Sequence, residues 1–119
     1  MLTHIFLISN FRLIIDGISA LIAMESNRFR FAGAATSIEQ AAERIAQTQV
    51  NIVLLDIDGI EPYRALALIE KLRTVSGPKI LLLARQHNAQ INDQAIILGA
   101  SGILGNEVSS EQLFMLVPK

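Results

Sequence analysis

No cysteine and no tryptophan occur in the 119 residues, and only two histidines do. Without thiols there is no disulfide framework, no thiol nucleophile and no Cys-type zinc site. The histidines, His4 and His87, are too few and too scattered for a metal cage; both read as ordinary polar residues. Charge is scarce as well. Ten basic and 11 acidic residues leave a net charge of -1. A nucleic-acid binder needs a cationic footprint, so direct contact of this domain with DNA or RNA is not expected. A glycine-rich phosphate loop is missing too, because the first apolar run is followed by the bulky Ser9-Asn10-Phe11. No Gly-x-Ser-x-Gly elbow marks a hydrolase nucleophile, and no enzymatic activity is expected. The apolar N-terminal stretch is broken by Arg12 and Asp16, short of the roughly 18 residues a membrane span requires. It also has neither the basic start nor the cleavage site of a signal peptide. The expectation is one cytoplasmic domain, off the membrane.

Apolar residues, in contrast, make up 51% of the chain, and their grouping is informative. Ile5–Ile8, Ile52–Leu55 and Ile80–Leu83 are continuous apolar runs, the pattern of strands buried on both faces. Phe29–Ala34 alternates, as a partly exposed strand does. Ser101–Leu104 is a short fifth candidate. Helical stretches lie between them. The first covers Leu13–Met24, with Ile14, Ile18, Leu21 and Ile22 on the inward stripe and Ile15 and Ala23 off it. The second starts at Ser37, where Gln40 gives capping-box spacing, and turns Ala41, Ala42, Ile45 and Ala46 inward. The third opens at Pro62, a residue suited to a first turn, and buries Leu66, Ile69 and Leu72. The fourth spans Gln90–Leu98. The last follows Ser109 and stops short at Pro118. Repeated strand-helix units predict a doubly wound parallel sheet with helices on both faces. Ligands of such sheets sit beyond the carboxyl ends of the strands. The residues there are Ser9 and Asn10, Asp56 and Asp58, Ala84 and Arg85, and Gly105 and Asn106.

With the runs NIVLLDID (Asn51–Asp58), GPKILLLA (Gly77–Ala84) and GASGIL (Gly99–Leu104) in order, the whole chain resembles the receiver domain of two-component response regulators. The class it is most similar to is fused to a helix-turn-helix output domain. The resemblance implies a flavodoxin-like fold with five parallel strands in the order 2-1-3-4-5, a final helix cut short, and an output domain beyond the chain. It implies a phosphoacceptor at Asp56. It also implies two acidic Mg²⁺ ligands after the first strand, where this chain has Ser9 and Asn10. A hydroxyl after the fourth strand is replaced by Ala84, a lysine after the fifth by Asn106, and the aromatic switch residue by Ile103. The loop after Asp56 carries Ile60 and Arg64 where receivers have proline and glycine. Only Asp56 remains of the set, with Asp58 a second and weak Mg²⁺ candidate, so no cofactor is expected to bind firmly.

These substitutions favour a pseudo-receiver that acts by protein contacts on a DNA-binding partner domain and so regulates transcription. Asn10 and Asn106 are candidates to hydrogen-bond Asp56 and hold its loops. Two other readings stand beside this one. Asp56 could accept a phosphoryl group from a histidine kinase, or the vacated strand-end pocket could sense a small molecule. By itself, Asp56 also reads as a solvated carboxylate at a strand end. Apolar excess at the first and fourth helices marks Phe11, Ile15, Ile97 and Leu98 as interface candidates, with Ile103 on the fifth strand beside the fourth helix. The resemblance implies homodimers through such faces.

Overall fold

The computed structural model describes residues 2–58, 60–75, 77–84, 93, 94, 96, 97 and 100–104. Among the described residues the elements run in the order β1 (Thr3–Ile8), α1 (Arg12–Met24), β2 (Phe29–Ala35), α2 (Ile38–Gln47), β3 (Ile52–Asp56), α3 (Pro62–Val75), β4 (Lys79–Leu83) and β5 (Gly102–Leu104). All pairings are parallel, and the sheet order is β2-β1-β3-β4-β5. The predicted fourth and fifth helices, with His87, Leu98 and Asn106, lie outside the described residues, except that Asp93, Gln94, Ile96 and Ile97 are helical and exposed.

The continuous apolar runs are explained by what each strand face meets. Side chains alternate across a strand, so a central strand needs apolar residues at every position. Ile5 and Leu7 of β1 and Ile52 and Leu54 of β3 pack with Ile15 and Ile22 of α1. Phe6 and Ile8, with Val53 and Leu55, pack on the other face with Ile45 of α2 and Ile69 and Leu72 of α3. Two cores thus form, one on each side of the sheet.

Helix α1 is phased differently from its sequence expectation. Ile15 is buried at 8% exposure beside Ile22, while Ile14 is only half-buried. Ile15, Ile18 and Ile22 follow the helical repeat, so Ile15 belongs to the core and is withdrawn as an interface candidate. In α2, Ala41 and Ile45 are buried but Ala46 is exposed, because a ten-residue helix on this sheet turns only a narrow stripe inward. Its start is as expected: the Ser37 side chain accepts the Gln40 N–H. On the surface, Arg64 of α3 pairs with Glu39 of α2. Both side chains are exposed, so the pair contributes little.

Edge strand β2 carries a bulge. Ile5 stands opposite Phe31 but Phe6 stands opposite Gly33, so one residue is unmatched. Gly33 has φ of 145°, and a Cβ there would lie 3.1 Å from Cε2 of the buried Phe6 ring. Only glycine adopts this backbone at low cost. Gly33→Ala is therefore expected to lower stability by about 1–3 kcal/mol through backbone strain and the Phe6 contact. A lower urea midpoint with an unchanged denaturant slope is the result to look for.

Candidate functional site

The register of the two central strands builds the site. β1 and β3 pair from Ile5↔Ile52 to Ile8↔Leu55. One rung further, the same offset brings Ser9 opposite Asp56. Both lie at the carboxyl end of the sheet and both are buried, at 2% and 1% exposure. The Ser9 hydroxyl donates to Asp56 Oδ2 at 2.7 Å, a well-formed O–H···O bond. Asp56 Oδ1 accepts the Asp58 N–H at 3.2 Å, a local turn contact common for aspartate. Asp56 is thus a buried, hydrogen-bonded group, and the expectation of a solvated carboxylate is overturned. The hydroxyl of Ser9 and the backbone of Asp58 take up the two carboxylate oxygens at a strand end more buried than its polar sequence implied.

Ser9 gathers several elements. Its hydroxyl oxygen accepts the Phe11 N–H at 3.0 Å, which places the residue capping α1. Its own N–H donates to the Ala35 carbonyl at the end of β2. One small side chain therefore ties the start of α1 to the end of β3, while its backbone holds β2. At the opposite end of the ladder, Asn51 does similar work. Its side chain accepts the His4 N–H at 2.8 Å, and its N–H donates to the His4 carbonyl.

The other sequence candidates divide. Ala84 is buried just past β4, and Asp58 is half-buried beside Asp56. Asn10 is exposed in the loop. Phe11 and Ile97 are exposed. The side chain of Ile103 lies outside the described residues, like the whole of Leu98 and Asn106. Sequence reasoning named Ser9 only as a missing acid. The signal for its bond was available in the constant offset between the two apolar runs.

The donor set does not fit a Mg²⁺ ion of the receiver kind. That hard cation takes charged oxygen ligands, and the positions after β1 supply a hydroxyl and an amide. The Ser9 proton, moreover, is directed at Asp56. Among the described residues, no group of three or more histidine, aspartate or glutamate side chains could hold a metal. Also among them, no helix is long and apolar enough to cross a membrane.

The Ser9–Asp56 bond has a measurable weight. Ser9→Ala removes a hydroxyl that donates to this buried carboxylate, at an expected cost of about 1–3 kcal/mol. In a double-mutant cycle, Ser9→Ala and Asp56→Ala should be non-additive by about 1 kcal/mol or more. Urea unfolding of the four proteins checks this.

No family model matches the chain, and no curated protein matches it. Solved structures do. The signal receiver domain of the response regulator NarL from Mycobacterium tuberculosis has a TM-score of 0.81 at 18% identity, covering 96% of this chain and 91% of that one. The isolated REC domain of RcsB from Salmonella enterica serovar Typhimurium, solved with the phosphomimetic BeF3-, reaches 0.82 at 13% identity, covering 97% and 85%. The beryllofluoride-activated NtrC4 receiver domain dimer reaches 0.80 at 16% identity, covering 94% and 90%. At these identities the likeness is one of architecture, and the chain has the α/β fold of response-regulator receiver domains.

Proposed function

We propose that this chain is a receiver domain of a two-component response regulator that signals through protein contacts, without depending on an aspartyl phosphate. The observation that carries this reading is the bond from the Ser9 hydroxyl to Asp56. Forming an aspartyl phosphate requires a carboxylate oxygen to attack phosphorus while nearby cations absorb the growing negative charge. Here a neutral hydroxyl occupies the place where the receiver resemblance implies a metal ligand, and it already engages one carboxylate oxygen. Asn10 adds no charge, and Ala84 adds no hydroxyl. The carboxylate instead serves to hold the ends of β1 and β3 together. The domain so held would act on a DNA-binding output domain in the cytoplasm, as a homodimer or against a partner protein. Phe11 and Ile97, both exposed, are the surfaces offered for this. The dimeric state in the name of the NtrC4 structure supports such pairing by analogy of fold.

The test is intact-mass spectrometry after incubation with Mg²⁺ and a small acyl phosphate, with Asp56→Asn as control. No added phosphoryl group is expected in either protein. One phosphoryl group on the wild type alone would make the protein a working phosphoacceptor and overturn the proposal.

A further inference from the structure

A cleft of about 340 Å³ opens between α1, the outer side of β2 and α2. Its size falls within the range of small-molecule sites, about 300–1,000 Å³. Neither Asp56 nor its partners Ser9 and Asp58 line it, so it is separate from the strand-end site and does not rest on the receiver reading.

Its lining is electrically mixed in a specific way. Arg12 and Asp16 stand one helical turn apart on α1 and both line the cleft. That spacing brings side chains together on a helix surface, yet among the described residues neither forms an ion pair, whereas Arg64 and Glu39 do. Across the cleft, Arg44 comes from α2. Its Nη1 donates to the Ala34 carbonyl at 2.6 Å, which fixes the guanidinium at the carboxyl end of β2. Four further N–H donors remain on that group. The apolar part consists of buried Ile15 and of Phe31, which is 40% exposed.

We propose that this cleft binds a small zwitterion of the α-amino-acid type with an apolar side chain. Two arginines reaching in from different helices suit a carboxylate, which takes charge-assisted hydrogen bonds from guanidinium groups. Asp16 suits an ammonium group. A phosphate or other simple anion would meet Asp16 as a like charge and leave Phe31 uncovered. An apolar side chain lies on Phe31 and Ile15. Arg44, already tethered, gives up little side-chain freedom on binding.

The test uses L-leucine as the probe, followed by amide chemical shifts of the labelled protein. The comparison probes are 4-methylpentanoate, which lacks the ammonium, 3-methylbutylamine, which lacks the carboxylate, and inorganic phosphate. Saturable shifts are expected in residues 12–19, 31–36 and 40–44, with half-saturation at roughly 0.1–10 mM. Each comparison probe should bind about tenfold more weakly or not at all, the loss of one charged contact. Arg12→Gln and Asp16→Asn should each weaken leucine by about the same factor. Their unfolding midpoints should stay at the wild-type value, because both side chains are exposed and unpaired among the described residues. Absence of saturation, phosphate or 4-methylpentanoate binding as well as leucine, or unchanged affinity in both variants would each overturn the assignment.

Discussion

The parallel ladder between β1 and β3 is the constraint on which the rest of the molecule depends. These strands occupy the middle of the sheet, have helices on both faces, and carry apolar residues at almost every position. A register slip of one residue would move every side chain to the other face. The apolar interior of the ladder does not by itself forbid such a slip, since both faces are greasy. The polar ends do. Asn51 fits the backbone of His4 at one end, and Ser9 meets Asp56 at the other. A shift would leave the buried Asp56 carboxylate without its Ser9 partner, a large penalty in a dry interior, and would break the exposed Asn51–His4 contact at the other end.

Asp56 therefore has a structural task whatever its chemistry. In a site built for phosphoryl transfer, the carboxylate would face cations and a mobile ligand. Here it faces a hydroxyl that also fixes the start of α1. The arrangement joins the start of α1 to the end of β3 through one side chain. Ser9 is small enough to remain buried at a point where β1, β2, β3 and α1 converge, and its hydroxyl lies closer to Asp56 Oδ2, at 2.7 Å, than to the Phe11 carbonyl, at 3.4 Å.

Much of this architecture was legible in the residues. The apolar runs located β1, β3 and β4, because strands covered on both faces leave no room for alternation. Ser37 with Gln40, and Pro62, located the starts of α2 and α3. Periodicity was less decisive in α1, where isoleucines at 14, 15, 18 and 22 allow two phasings. Packing against Ile5 and Leu54 selected the one that buries Ile15. The bulge at Gly33 was illegible, since glycine within an alternating strand does not announce where the ladder skips. At the site, Ser9, Asp56 and Ala84 lie at or just past strand ends, the positions the sequence indicated for them. The burial of Asp56 was not foreseen, because it depends on a partner, Ser9, that is 47 residues away in sequence.

Among the described residues, the two cores share no side chain. The sheet is a partition, and residues on one side of it have no direct knowledge of the other. An event at α1, such as docking of a protein on Phe11, can reach α3 only by displacing the backbone of β1 and β3 or by acting around the rim where Ser9 and Asp56 meet. Substitutions in the α1 compartment and in the α2–α3 compartment should accordingly behave as nearly independent, except those at that rim. Communication through this domain is then a matter of how stiffly one pair of strands is clamped at its carboxyl end.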